Sequence, residues 1–165
     1  MNGVEKQVNS GCLSYIAVTD LLIFSARRLR LLGLDGLAAF MTDQQKTVCI
    51  LDDDPDMRKA LERVLSVHGY RPCSFASIAD FHADAKPREA LCLILDIHLN
   101  GESGFDLKRQ LSHSVPALPV IFITGQDSKA NREAAQQVGG AAYLPKPFES
   151  KALLDALETA IHKLS

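Results

Sequence analysis

The stretch Leu91-Cys92-Leu93-Ile94-Leu95-Asp96 leaves this chain few folds to choose from: five apolar residues, with no polar position among them, run straight into a carboxylate. A run so short and continuous suits a strand buried on both faces, the situation of a central strand in a parallel sheet. Asp96 then stands at its carboxyl edge. Val48-Cys49-Ile50-Leu51 before Asp52, Asp53 and Asp54, and Val120-Ile121-Phe122-Ile123 before Thr124, end in the same abrupt way. A fourth run, Ala141-Ala142-Tyr143-Leu144-Pro145, leads into Lys146. Open parallel α/β sheets bind ligands outside the carboxyl ends of their strands, so these four endings are expected to meet in one crevice.

Helical patterns fill the intervals. After the strand at 47–51, Pro55 suits a first helical turn, and Met57, Leu61, Val64, Leu65 and His68 form a stripe at helical spacing. Gly69 is placed to end that helix in a left-handed conformation. Residues 71–75 read as a second strand, and Ser77 as the N-cap of a helix carrying Ile78 and Phe81. Beyond the Asp96 strand come a loop with Gly101 and Gly104, then a helix with Phe105, Leu107 and Leu111. A polar helix over about 128–138 stops at Gly139-Gly140, and Ser150 is expected to cap a last helix bearing Leu153, Leu154, Leu157, Ile161 and Leu164. Five repeats of strand then helix predict an α/β, doubly wound, three-layer domain. No glycine-rich phosphate loop follows the first strand, which excludes a dinucleotide-binding or P-loop reading.

Composition narrows the function. At 165 residues, 47% of them apolar, the chain can build one ordinary core, so we expect one domain over 43–165 and an attachment over 1–42. Residues 43–165 hold 14 Lys/Arg against 17 Asp/Glu, which argues against a nonspecific nucleic-acid binder. Cys49, Cys73 and Cys92 fall inside expected strands without metal-ligand spacing; such thiols behave as small apolar side chains and suit a reducing cytoplasm. In the attachment, the apolar stretch from Cys12 to Ala26 is broken by Asp20 and followed by Arg27, Arg28 and Arg30. That interruption argues against a membrane span, and arginines after the apolar part argue against a secretory signal. Three readings stay open for it: an amphipathic helix that docks on a partner or membrane surface, a disordered extension, or residues upstream of a true start at Met41.

The strand endings carry the chemistry. Each acid of the triplet alone suits a helix N-cap, but three adjacent like charges raise one another's pKa unless a cation lies among them. Hard oxygen ligands with room for water suit Mg²⁺, and Asp96 supplies another oxygen if its strand neighbours the first. Thr124 alone is an ordinary strand residue and Lys146 alone an ordinary solvated charge. Together with the acids they make a phosphoryl site: lysine neutralises charge, threonine donates a hydrogen bond, and a metal takes a further oxygen. An aspartate can itself be the nucleophile and form an acyl phosphate. Pro145 and Pro147 restrict the backbone around Lys146 and aim its side chain.

Four signatures, Ile50-Leu51-Asp52-Asp53-Asp54-Pro55, Leu95-Asp96 with Gly104 eight residues on, Phe122-Ile123-Thr124-Gly125, and Tyr143-Leu144-Pro145-Lys146-Pro147-Phe148, resemble the response-regulator receiver domain of two-component signalling over about residues 46–163. The resemblance implies a flavodoxin-like five-stranded parallel sheet of order 2-1-3-4-5. It implies that Asp96 accepts a phosphoryl group from a phosphohistidine on a sensor histidine kinase or phosphotransfer protein. It implies Mg²⁺ held by Asp53, Asp96 and the backbone carbonyl of His98, with Asp52 acting through water, and Thr124 and Lys146 on the phosphoryl oxygens. Tyr143 becomes the aromatic whose rotamer follows Thr124, and the face of the fourth helix, fifth strand and fifth helix becomes the surface that changes for an unknown downstream protein. Direct nucleic-acid contact is not expected, nor is an enzyme's turnover beyond slow self-dephosphorylation.

Two departures stand out. Receivers commonly carry proline at the place of Asn100, which points to a less rigid loop here, and His98 and Gln126 occupy variable positions thought to tune phosphoryl lifetime. His68, His82, His113 and His162 show no ligand spacing. Beside a stand-alone receiver that signals by protein contact stand two other readings. One is a receiver fragment of a longer DNA-binding regulator. The other is a phosphohydrolase of the haloacid-dehalogenase type built on the D-x-D of Asp52 and Asp54, which lacks the required acidic pair after the lysine and gives Asp96 no role.

Overall fold

The computed structural model describes residues 46–85 and 87–162. The expectations for 1–42, the boundary at 42/43 and the place of Leu164 lie outside the described residues.

Five parallel strands form the sheet: β1 (Thr47–Leu51), β2 (Arg71–Phe75), β3 (Cys92–Asp96), β4 (Val120–Thr124) and β5 (Ala142–Pro145), in the order β2-β1-β3-β4-β5. All five residues of β3 and of β4 are buried, as their uninterrupted apolar runs require, whereas the edge strands β2 and β5 are mostly half-exposed. The register aligns Leu51 with Leu95, Asp96 with Ile123, and Thr124 with Pro145. The strands therefore finish along one edge, and the residues after them share it.

Five helices cover the sheet: α1 (Pro55–Val67), α2 (Ile78–Asp84), α3 (Gly104–Ser114), α4 (Lys129–Gln137) and α5 (Ser150–His162). Alternation along the strands divides the core. Val48, Ile50, Cys92, Ile94, Ile121 and Ile123 pack with Leu61 and Leu65 of α1 and Leu153 and Leu157 of α5. Cys49, Leu51, Leu93, Leu95 and Phe122 face the other way, onto Phe81 of α2, Phe105 and Leu111 of α3 and Ala135 of α4. The result is a doubly wound three-layer sandwich whose chain crosses from one face to the other beside β1 and β3. Among the described residues no helix is long and apolar enough to cross a membrane.

Local chemistry sets the helix ends. The Asp54 carboxylate accepts from the backbone N–H of Asp56 (2.9 Å) and Met57 (3.3 Å), with Pro55 in the first turn, so α1 starts directly after the acidic triplet. Gly69 (φ 77°) ends it as expected, while His68 lies exposed and bonds Val64 O through Nδ1 instead of joining the apolar stripe. Ser77 and Ser128 cap α2 and α4. Ser150 does not cap α5: it is the first residue of that helix, and Leu153 N–H bonds Glu149 O, so the helix begins one residue earlier than a Ser150 cap implies. Burial pushes the Cys49 and Cys92 thiols up to about 12, so both are held as neutral apolar side chains.

Candidate phosphoryl and metal site

The carboxyl edge gathers the acids and the lysine in one place. Lys146 Nζ donates to Asp52 Oδ2 at 2.7 Å and to Asp96 Oδ2 at 2.5 Å. Asp52, Asp53 and Asp96 each bring a carboxylate oxygen within 4.8 Å of the other two, a spacing one hard cation can bridge. Strand order explains why: β1 and β3 are neighbours, Leu51 pairs with Leu95, and the next residue on each is an aspartate. Lys146 arrives from β5, two strands away from β3, and its long side chain spans the end of β4 to reach them. Its backbone N–H bonds Thr124 O at 2.7 Å, and the Lys146–Pro147 bond is cis.

The rest of the site is held by backbone donors. Asp52 is fully buried; its Oδ1 accepts from Asp54 N–H (2.9 Å), and Arg58 of α1 donates to its carbonyl oxygen at 2.6 Å. Asp96 Oδ1 accepts from His98 N–H at 2.9 Å, so each Asp96 oxygen has one partner. Asp53 Oδ2 accepts from Asn100 N–H at 3.1 Å.

That last bond ties the loop after Asp96 to the acidic triplet. His98–Leu99 and Glu102–Ser103 pair as a short antiparallel ladder closed by Asn100-Gly101, both at positive φ (48° and 92°). Asn-Gly is the pair such two-residue turns favour. Proline, fixed near φ −65° and without an N–H, could neither adopt the turn nor hold Asp53. The loop is a hairpin tied to the acidic cluster.

Electrostatics leave the pocket rich in negative charge. Burial pushes the Asp52 carboxyl up, and the Lys146 ammonium and Asp54 N–H offset only part of that. Burial by itself would lower Lys146, but its bonds to Asp52 and Asp96 outweigh it and hold the ammonium above the usual lysine value. The half-buried Lys146 thus bridges two of the three clustered carboxylates, an arrangement that favours a second, harder cation. Oxygen-only donors at this spacing fit Mg²⁺.

Thr124 is buried at the end of β4, one residue beyond the partner of Asp96, and its hydroxyl is turned onto its own loop: Oγ1 accepts from Gln126 N–H (3.0 Å) and donates to Gln126 O (3.4 Å). Tyr143, on β5, is half-buried, and its hydroxyl donates to Asp127 Oδ1 at 3.1 Å. His98 is exposed, as are His68 just past the end of α1 and His82, His113 and His162 on helices. Sequence reasoning missed Arg58, Asp127 and Arg132, and missed the Asn100 N–H. The asparagine left a signal, since Asn-Gly is the dipeptide that favours a tight two-residue hairpin; the other three are ordinary charges of helices and loops.

Residues 48–158 match the response regulator receiver domain family. The response regulator protein TmoT of Ectopseudomonas mendocina is 33% identical over 73% of this chain and 55% of its own. The transcriptional regulatory protein GltR of Pseudomonas aeruginosa is 32% identical over 74% of this chain and 52% of its own. The chain thus spans about half the length of these curated relatives. A solved response regulator from Burkholderia pseudomallei, described with a phosphorylated aspartic acid, a calcium ion and citrate, is similar at 26% identity and TM-score 0.63 over 72% of this chain and 70% of its own.

Proposed function

This chain belongs to the response regulator receiver domain family, and from that premise we propose that Asp96 accepts a phosphoryl group from a phosphohistidine of a sensor histidine kinase or phosphotransfer protein. The single observation that carries the reading is the bridge of Lys146 to both Asp52 and Asp96, which brings acceptor, acidic cluster and cation to one point. The P–N bond of the donor breaks as a P–O bond to an Asp96 oxygen forms, and the departing imidazole takes up a proton. Asp96 lies at the strand end with backbone His98 N–H fixing one oxygen, so its approach to phosphorus is set before the donor arrives. The Lys146 ammonium, free to exchange a carboxylate oxygen for a phosphoryl oxygen, neutralises charge on the transferred group, and Thr124 donates a hydrogen bond once its hydroxyl leaves Gln126. Asp53, Asp96 and the His98 carbonyl would hold Mg²⁺, with Asp52 acting through water; bound there, the ion supplies charge neutralisation for the incoming phosphoryl oxygens. Asn100 N–H orients Asp53 toward that role.

The modified state acts by population shift: Thr124 and Tyr143 rearrange together and change the face made by α4, β5 and α5, to which a downstream protein binds. We place this signalling domain in the cytoplasm and give it no turnover beyond slow loss of its own phosphoryl group. Treatment with acetyl phosphate and Mg²⁺ is expected to add one phosphoryl group per chain, and Asp96→Asn to abolish it; a label that persists in the variant overturns the assignment. A second reading has its own support. The relatives are about twice as long as the matched region, and GltR is described as a transcriptional regulatory protein, so this receiver can also serve a longer DNA-binding regulator. The coding sequence around it decides that. The dehalogenase-type reading has no such support: its nucleophile would be Asp52, which has no exposed surface, and it gives Asp96 no role.

A further inference from the structure

A compact charge cluster lies outside the acidic pocket, where the β4–α4 loop meets β5. Asp127 Oδ1 accepts from the Tyr143 hydroxyl at 3.1 Å, Asp127 Oδ2 accepts from Arg132 Nη2 at 2.6 Å, and the Arg132 guanidinium lies 5.2 Å from the centre of the Tyr143 ring. Each member thus touches the other two, and the three come from a loop, the first turns of α4, and β5. The loop itself runs only from Gly125 to Ser128, and it is tied at both ends. At one end Gln126 N–H bonds Thr124 Oγ1; at the other, Asn131 bonds Gln126 O at 2.8 Å and Ser128 caps α4.

We propose that Asp127 is a positioning residue that locks Tyr143 in its resting orientation with the help of Arg132, and so sets how readily the receiver takes up its phosphoryl-bound arrangement. The inference rests on the receiver reading above. Its argument is geometric. Gln126 N–H has the Thr124 hydroxyl as its acceptor, so when a phosphoryl oxygen draws that hydroxyl away, the backbone at 125–127 must find new partners. Asp127 is in that segment, and its carboxylate is the acceptor for both the tyrosine and the arginine. The three contacts are made while the Thr124 hydroxyl is on Gln126, and whatever free energy they carry opposes a shift that breaks them. Asp127 and Arg132 are partly exposed, so the sum is modest. It is still enough to matter for a two-state element, because a ligand's apparent affinity scales with the fraction of competent molecules.

Beryllofluoride with Mg²⁺, a non-transferable phosphoryl mimic, is the probe. Asp127→Ala is expected to bind it about two- to five-fold more tightly than the wild type, the range an exposed charged pair can supply. Asp127→Asn keeps an acceptor for the tyrosine but loses the charge for Arg132, and is expected to fall between the two. Fluorotyrosine at position 143 should report a changed ring environment in metal- and fluoride-free Asp127→Ala, a readout that stability alone would not move. Equal or weaker binding by Asp127→Ala overturns the lock while leaving the receiver reading intact. A wild type that binds no beryllofluoride at all overturns the receiver reading itself, and the lock with it.

Discussion

Asn100 donates its backbone N–H to the Asp53 carboxylate at 3.1 Å, joining the turn after β3 to the acidic loop after β1 across 47 residues of chain. The bond needs a residue with an N–H and a positive φ at position 100, and asparagine is among the few non-glycine residues that accept both.

Asn100→Pro should therefore cost roughly 1 kcal/mol or more, through an incompatible φ and a lost hydrogen bond to a charged group. Asn100→Gly keeps both the N–H and the dihedral and should stay near wild type. Urea denaturation midpoints compare them, and equal midpoints for proline and glycine would remove the structural role given to this turn.

Gly104 opens α3 directly against the backbone of Asp96: a Cβ at this position would overlap the Asp96 carbonyl oxygen and crowd Ile97 Cα at 3.2 Å. Backbone cannot swing aside as a side chain can. Gly104→Ala is expected to destabilise by about 1–3 kcal/mol, as overpacking does elsewhere, and to slow phosphoryl uptake because the atom displaced belongs to the acceptor residue. Unfolding and acetyl phosphate labelling of the same variant measure both effects.

Mg²⁺ should stabilise the protein by about 1.4 kcal/mol at ten times its dissociation constant, since it binds the folded acidic cluster and not the unfolded chain. Asp53→Asn removes one of three clustered charges. It should raise the thermal midpoint without metal and abolish the rise that Mg²⁺ brings. A variant that still gains stability from Mg²⁺ as the wild type does would place the ion elsewhere.

The lock between Asp127 and Tyr143 carries a pH signature. The Arg132 guanidinium, ahead of the Tyr143 hydroxyl, holds the Asp127 carboxyl below the usual carboxylate range. A depressed acid contributes stability above its unfolded-state pKa and loses it as pH falls through the folded value, so these contacts are intact at neutral pH and dissolve in acid. Carboxyl chemical shifts should show Asp127 titrating low in the wild type and moving up in Arg132→Ala. No upward move would separate the two residues in solution.

Much of this was written in local sequence. The apolar run ending at Leu95 reads as a strand buried on both faces, because its side chains alternate to opposite sides and leave water together; the strand itself is Cys92–Asp96, with Leu91 half-buried just before it. Asp54, Pro55 and Gly69 marked the ends of α1 by capping chemistry that acts within a few residues. Asp52, Asp53, Asp96 and Lys146 could be placed at one edge since each follows a strand of the same direction. What sequence alone left open were the individual hydrogen-bond partners: across the chain, the grip of Asn100 on Asp53 and the choice by Tyr143 of Asp127 as acceptor; within a few residues, the turn of the Thr124 hydroxyl onto Gln126 and the bond of Arg58 to the Asp52 carbonyl. Propensity and periodicity act over one or two turns of chain. A side-chain hydrogen bond is decided by which donor lies within about 3 Å once the layers have packed, and only the folded backbone supplies that distance.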